Sequence, residues 1–382
     1  MKILHLAPIK VSKKDNSNFK EINNPEGISK SVPHLAAAQI RLGYRVGIIT
    51  SAKSETLNDD QIYWGKLENL ILSISLFYKI IKKFGKPDVL HIHDIFSLKQ
   101  IYFSLFFIFY GVNIFISPRG CFSEIALSRS EFKKKLFLIF YKQYSKLIHS
   151  FVALNEGEKK QITKIFGKKN IIIISNGSDI NLERDKNLKN VFKKKNENSL
   201  FTLGYLGRFD VYIKGLDNLL NAFDNYQQNS TEPNINLVFI GEHRSKEFNS
   251  INFFERKKNK LLKPDMFQIK KALYGIEKWK ALASFDLLVL PSRSEGMPNV
   301  VLEAMSIGTP CVVSPQTNMG EIIKNSNSGW IINSNAKDIE NFLHKLSKIN
   351  KEELINKGMN AKNYIKQHLT WDKIAQKNYF AE

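Results

Sequence analysis

Four side chains in the second half of the chain have types and spacings that could do chemistry together. Glu295 and Glu303 stand eight positions apart in "PSRSEGMPNVVLEAMSIGTPCVVS", residues 291–314. The first sits in a loop rich in Gly and Pro, the second on the apolar, helix-like run that follows. A loop carboxylate can accept hydrogen bonds from the hydroxyls of a sugar, and one a turn into a helix can accept them from a diol such as ribose. Arg208 and Lys214 lie six apart in "YLGRFDVYIKG", residues 205–215, where an apolar strand-like run ends. Two cations at a strand end can clamp a diphosphate, Arg through its bidentate fork and Lys as a point charge. Backbone N–H groups near 297–300, at the start of the second-carboxylate helix, add an anion site that the helix dipole favours. Taken singly, each is an ordinary surface charge or helix-start acid; together they read as a site.

These residues need elements to position them. "LLVLP" is a buried strand whose carboxyl end delivers "SRSEGMP". Gly296 lets backbone approach a ligand, and Pro298 suits the first helical position. The helix "NVVLEAMSI" ends at Gly308, and another helix is expected from about Lys214. Around them run "LFTLGYLG", "INLVFIG", "TPCVVSP" and "SGWII", then two helical segments at about 337–367. The first half repeats the alternation with "KILHLAP", "YRVGIIT", "DVLHIHD", "NIFISPRG", "SFVALN" and "NIIIISNG". Strands separated by helices imply parallel pairing with right-handed crossovers. The expected architecture is α/β: two doubly wound domains facing a cleft, with ligands at the strands' carboxyl ends. The boundaries are 1–179, a polar connection over 180–199, and 200–369, with a closing helix at about 370–382. A polar loop at about 9–27 is long for its place and so reads as functional.

Bulk properties narrow the class. The chain has 382 residues, enough for two separate cores, and its 43% hydrophobic and 24% charged residues are those of a globular protein. A formal charge of +21 attracts nucleic acid, anionic lipid or a phosphorylated substrate, and a Lys-, Asn- and Ile-rich composition drifts basic without any of these. No element interleaves basic and stacking aromatic residues, so a nucleic-acid partner is not expected and would leave the acidic pair unexplained. No G-x-G-x-x-G follows a strand, which disfavours a nicotinamide dehydrogenase. There is no D-x-D, and no His, Cys and carboxylate cluster has metal-ligand spacing, so neither metal nor other cofactor is expected. Cys121 and Cys311 are far apart and lie in apolar contexts. With a short strand-like N-terminus, that suggests a reduced, cytoplasmic setting. "IYFSLFFIFYGVNIFIS" (101–117) reads as a buried helix, a turn and a buried strand, not a membrane span. "EFKKKLFLIFYKQYSKL" (131–147) suits a helix lying in a membrane interface and equally a core-facing helix with a solvated lysine face.

The motifs "GRFDVYIKG", "PSRSEGMPNVVLEAMSIGTPCVVS" and "TWDKIAQKNY" resemble glycosyltransferase family 4, retaining enzymes of the two-Rossmann GT-B fold. The Glu295-to-Glu303 spacing is similar to that family's E-x7-E signature, and "GISKSVPHLAAAQIRLGYRVGIIT", "DVLHIHD", "ISPRGCFSEIAL" and "SNGSD" extend the likeness over nearly the whole chain. The resemblance implies a metal-independent enzyme that moves a sugar from a nucleotide-diphosphate sugar to a glycan or polyprenyl-diphosphate-linked acceptor. It implies Arg208 and Lys214 on the donor diphosphate, Glu295 near the donor sugar and Glu303 on the ribose. Gly207, Gly296, Met297, Pro298, Asn299 and Val300 would line the donor, and Gly27 would approach the diphosphate from the first domain. The final helix after Trp371 would cross back onto the first domain. Many relatives carry a histidine where "SPRG" places Arg119; here Arg119 stands as a candidate for acceptor or phosphate contact. His93 is either a cleft residue or a satisfied strand-end histidine. The implied setting is lipopolysaccharide or capsule assembly, in the cytoplasm or peripheral on the inner face of the membrane. A sugar-nucleotide epimerase or a non-catalytic sugar-nucleotide binder fits the same fold. Acceptor choice would lie in loops at about 9–27 and 95–130.

Overall fold

A computed structural model describes residues 1–9, 27–50, 62–66, 70–178, 200–243, 248–377 and 379–380. Most of the loop at 9–27 and all of the connection at 180–199 lie outside the described residues. The chain divides into two compact units, Met1–Gly177 with Trp371–Glu382, and Ser178–Thr370.

In the first unit the elements run β1 (Lys2–Ala7), α1 (Gly27–Arg41), β2 (Arg45–Thr50), β3 (Ile62–Lys66), α2 (Leu70–Phe84), β4 (Val89–His93) and α3 (Leu98–Phe109). They continue with β5 (Asn113–Ser117), α4 (Glu124–Ser128), α5 (Glu131–Tyr144), β6 (Ser150–Ala153), α6 (Glu156–Phe166) and β7 (Ile171–Ile173). The seven strands pair in parallel in the order β3-β2-β1-β4-β5-β6-β7. Strands such as "VLHIH" are buried along their whole length because helices cover both faces. On one face Ile80, Phe84, Phe103, Phe107, Tyr141 and Ile162 from α2, α3, α5 and α6 pack on the sheet. On the other, Val32 and Ala36 of α1 pack against Val46 and Ile48.

The second unit holds β8 (Phe201–Arg208), α7 (Leu216–Asn229), β9 (Ile235–Glu242), α8 (Ser250–Lys258), β10 (Phe267–Lys271), α9 (Gly275–Ser284) and β11 (Leu287–Leu290). After these come α10 (Asn299–Ile307), β12 (Cys311–Val313), α11 (Gly320–Asn325), β13 (Gly329–Ile331), α12 (Ala336–Leu346) and α13 (Lys351–His368). Its parallel sheet has the order β10-β9-β8-β11-β12-β13. Each sheet therefore reverses direction once, between β1 and β4 in the first unit and between β8 and β11 in the second. Helices on opposite faces diverge there and open a crevice at the strands' carboxyl ends.

The last helix, α14 (Trp371–Ala375), returns to the first unit, as the sequence implied. The Trp371 ring lies 5.8 Å from that of His34 on α1, and Arg41 Nη2 sits 2.6 Å from Asp372. The expected buried helix at 101–117 differs: α3 buries Phe103 and Phe107 but leaves Leu98 and Phe109 exposed, so only one side of it is core.

Gly177, in the "SNGSD" motif, fixes how closely the returning segment packs. A Cβ at this position would lie 2.9 Å from both the Trp371 backbone nitrogen and its ring. Gly177→Ala should therefore destabilise the protein by about 1–3 kcal/mol, the usual cost of overpacking. A urea denaturation series on the full chain checks this, and an unchanged midpoint would show that the segment yields at no cost.

Candidate functional site

The second unit brings the sequence-picked charges to its switch point. Arg208 is the last residue of β8 and is exposed. Lys214 lies in the turn after it, two residues before α7, so it is not at a helix start as expected. Gly215 caps that helix at φ +66, and a Cβ there would run into the Pro291 carbonyl, so the turn can only meet the 291–298 loop with glycine at this place. Lys214 Nζ reaches Glu295 Oε1 at 2.5 Å, and Ser292 Oγ donates to the same oxygen at 3.0 Å. Both ionic side chains are largely buried, at 12% and 15% exposure, so removing one partner would leave the other charge buried and unmatched.

The two loops are held together by a residue the sequence reading passed over. Arg293 makes a bidentate pair with Asp217 at 2.7 and 2.9 Å, donates to the Tyr212 carbonyl at 2.6 Å, and covers the Tyr212 ring at 4.5 Å. Backbone bonds from Arg293 N to Ile213 O (2.7 Å) and Glu295 N to Gln316 O (3.0 Å) fix the loop further, and Asn318 Nδ2 donates to the Glu295 carbonyl at 2.8 Å. Beneath them the buried Tyr205 phenol is pushed well above its usual range, first by burial and next by the Glu295 carboxylate, with Arg208 opposing. The same phenol donates to the Arg208 carbonyl at 2.6 Å, which ties the end of β8 to this buried ring.

Helix α10 starts one residue later than expected. Pro298 is its N-cap in extended conformation, not its first helical residue; no side chain caps the helix, and no acid stands in its first turn. Met297 is buried, and Asn299 and Val300 are half-buried in that first turn. Glu303, one turn in, is buried at 5% exposure and accepts from Lys278 Nζ at 2.9 Å. Lys278 comes from α9 and rests over the Trp279 ring at 4.8 Å. It too was missed, because nothing in "GIEKWK" marks a lysine aimed at a helix two elements away. Glu295 and Glu303 therefore lean on separate cations, and nothing pairs them with each other. Gly207 is half-buried in β8 beside Arg208, and Gly27 is the exposed first residue of α1 in the other unit.

At the first unit's switch point His93 is satisfied. Arg119 Nε donates to His93 Nδ1 at 2.9 Å, and Arg cannot accept, so the bonds from His93 through His5 to Gln39 can run only one way. His93 Nε2 then donates to His5 Nδ1 (3.0 Å), and His5 Nε2 to Gln39 Oε1 (2.8 Å). Gln39 Nε2 donates to the Tyr379 hydroxyl (3.2 Å), which is hydrogen-bonded to His91 Nδ1 (2.8 Å), and His91 Nε2 is hydrogen-bonded to Ser117 Oγ (2.7 Å). The chain of bonds begins at Arg119 and ends two residues away from it. Half-buried Arg119, itself at φ +55, also donates through Nη1 to Ser31 Oγ and Asn176 Oδ1. Burial brings its pKa down to about 10, opposed by Glu158 and Tyr379.

The sequence showed no cluster at metal-ligand spacing, yet His5, His91 and His93 gather with ligand atoms within 4.8 Å of one another. All six ring nitrogens already have partners, so a cation would have to break this chain beside a guanidinium. The donor set fits a hydrogen-bond relay, not a metal centre. His91 and His93 share a face by strand periodicity, which was readable; His5 and Tyr379 come from the chain's two extremes, which was not.

Residues 25–182 match Glycosyltransferase Family 4, and residues 183–368 match Glycosyl transferases group 1. The chain belongs to the family 4 glycosyltransferases, built on the GT-B fold. An uncharacterised glycosyltransferase of Methanocaldococcus jannaschii is 28% identical over 261 residues, 64% of this chain and 62% of that protein. The UDP-Gal:alpha-D-GlcNAc-diphosphoundecaprenol alpha-1,3-galactosyltransferase of Escherichia coli is 39% identical over 75 residues, 20% of this chain and 19% of that enzyme. The chain thus spans less than two thirds of the length of these curated relatives. Anabaena HepE, crystallised in complex with UDP, superposes with a TM-score of 0.73 over 98% of both chains at 16% identity, which is a likeness of fold.

The relay requires neutral imidazoles. Burial, with Arg119 adding, lowers His5 to about 4 and His91 and His93 well below the ordinary range. Above pH 6.5 both folded and unfolded rings are neutral and the groups contribute no pH dependence. As pH falls from 6.5 towards 4, only the unfolded His5 takes up a proton, so stability drops by about 1.4 kcal/mol per pH unit for such a ring. His91 and His93 continue the loss to lower pH. Urea midpoints measured from neutral pH down to about pH 4 should fall, and His5→Gln should lose one proton's worth of that slope. A flat profile would mean the rings are not held neutral.

Proposed function

We propose that the protein transfers a sugar from a nucleoside-diphosphate sugar to a hydroxyl of a glycan carried on a polyprenyl diphosphate, with retention at the anomeric carbon and without a metal. The observation that carries this is the Lys214–Glu295 pair at 2.5 Å, set beside Arg208 at the mouth of the second sheet's switch point. The uncapped start of α10 belongs to the same loop. The site has cations and a helix dipole for a leaving diphosphate, and carboxylates for the hydroxyls on either side of it.

The bond between the sugar's anomeric carbon and the diphosphate oxygen breaks, and the electron pair leaves with the diphosphate. Arg208, Lys214 and the α10 dipole meet that growing charge, an electrostatic term that can dominate a rate. The acceptor oxygen bonds to the same face, and its proton passes to a leaving-phosphate oxygen. A diphosphate at Lys214 competes with Glu295 for the ammonium, which releases the carboxylate to accept from sugar hydroxyls. Glu303, oriented by Lys278, accepts from the ribose diol. Gly207, Gly296, Met297, Pro298, Asn299 and Val300 line the donor in this reading. Arg119 and His93 act as positioning residues through the relay.

The E. coli relative's name places its acceptor sugar on diphosphoundecaprenol, and HepE was crystallised with UDP; both support a nucleotide donor and a lipid-linked acceptor here. The same reading puts the protein in surface-polysaccharide assembly at the inner face of the cytoplasmic membrane.

A panel of UDP-, GDP-, ADP- and dTDP-linked sugars, titrated by ligand-detected NMR in the presence of chelator, should yield one binding class. Glu303→Ala should weaken that binding by about tenfold or more, the scale of one lost charged hydrogen bond; binding only when metal is added back would remove the metal-free reading. Lys214→Ala should cut turnover by roughly 10²–10³ with the fold intact, and near-normal turnover would strike it from the diphosphate clamp. Proton NMR of the product should show the donor's anomeric configuration; the opposite one sinks the retaining mechanism.

A further inference from the structure

Helix α5 has two apolar sides. Tyr141 and Tyr144 point into the core, and Phe137 packs against it. On the other side Phe132, Leu136, Ile139 and Phe140 recur at helical spacing, yet they are 81%, 49%, 62% and 67% exposed. These four fall within one stripe along the helix. A helix that only served the core would carry polar residues there.

The charges around the stripe are one-sided in sign. Between residues 129 and 147 there are six basic residues and one acid, Glu131. Lys133 flanks the stripe on one side and Lys135 and Lys142 on the other, and all three are exposed, as is Lys146 beyond the helix end. Lys134 is different: it turns inward, donating to the Ala126 carbonyl and lying 5.1 Å from the Phe96 ring. Glu131 is spent on Lys135 at 2.6 Å. Neighbouring α3, joined to α5 through the Ser104–Tyr144 hydrogen bond and covering the same sheet face, adds exposed Leu98 and Phe109.

We infer that this face of the first unit docks on a bilayer rich in anionic lipid, with Phe132, Leu136, Ile139 and Phe140 entering the acyl boundary and the flanking lysines on the headgroups. An apolar stripe edged on both sides by lysine matches that surface in both of its layers. A second copy of the chain matches it poorly, since a two-fold contact would set lysines against lysines around the stripe. Among the described residues no helix is long and apolar enough to cross a membrane, so the contact is with the surface. The inference stands on this face alone and does not depend on the sugar-transfer reading.

The test is co-sedimentation of the full chain with phosphatidylcholine vesicles, with and without phosphatidylglycerol, at low and physiological salt. The protein should partition onto the anionic vesicles and release as salt rises. Replacing the stripe together (Phe132→Ser, Leu136→Ser, Ile139→Ser and Phe140→Ser) should weaken partitioning at least tenfold, and the melting temperature should hold because the four are exposed. A gentler variant, Phe140→Trp, should shift its emission to the blue on anionic vesicles. Failure of the parent to partition overturns the inference. So does a serine variant that binds like the parent, or a parent dimer that the serine substitutions dissolve; the last would make a second copy the occupant.

Discussion

A parallel strand cannot pair with its neighbour until the chain has returned to the starting edge, and that constraint organises everything else in this molecule. It calls for a crossover between successive strands, in most cases here a helix, and puts every strand's carboxyl end on one side; each sheet has one place where the order reverses. Both units reverse after the first strand of the sheet, and both gather their polar residues there. Arg208 ends β8 and the Glu295 loop follows β11, the two strands that meet at the second reversal. His5 lies on β1 and His93 ends β4, which meet at the first.

Given that placement, burial decides how the charges are arranged. A carboxylate removed from water must be matched or it loses its proton balance. Glu295 is matched by Lys214, Glu303 by Lys278, and Asp217 by Arg293. The pairs differ in what they hold. Arg293–Asp217 ties the two loops together and is structural. Lys214–Glu295 and Lys278–Glu303 each hold a buried carboxylate in one orientation. The first unit's polar file contains no carboxylate of its own, and one guanidinium orients neutral rings. Glu158 supports it from behind: its carboxylate accepts from the Gly120 and Leu154 amides, while burial raises its pKa.

What was legible in the sequence follows from the range of the interaction. The apolar strands and the loop-helix spacing of Glu295 and Glu303 are local patterns, and the two-sheet α/β class could be read from them. The exact helix starts could not: Pro298 caps where it was expected to begin, and Lys214 sits in a turn, because cap geometry is set by backbone angles that residue type only biases. Lys278, the Arg293–Asp217 clamp and the gathering of His5 with His91 and His93 depend on segments 25 to 88 positions apart meeting in space. Periodicity reports none of those meetings. The outer face of α5 is an intermediate case, since its apolar residues recur at helical spacing on both sides and only packing tells which side is covered.

The returning C-terminal segment carries one more consequence of topology. Tyr379 supplies the hydroxyl that joins Gln39 to His91, and Trp371 lies against Gly177 and the ring of His34. Those partners are separated from it by the whole of the second unit, residues 178–370. The second unit can therefore be complete in the growing chain before the first has its last buried hydrogen bonds, although the first was made earlier. Until residues 371–380 arrive, Gln39 Nε2 and His91 Nδ1 lack the Tyr379 hydroxyl, and buried polar groups are expensive to leave unpaired. The first unit's order thus depends on a segment that follows the whole of the second. Completion of the relay at its switch point therefore waits on the synthesis of residues 178–370.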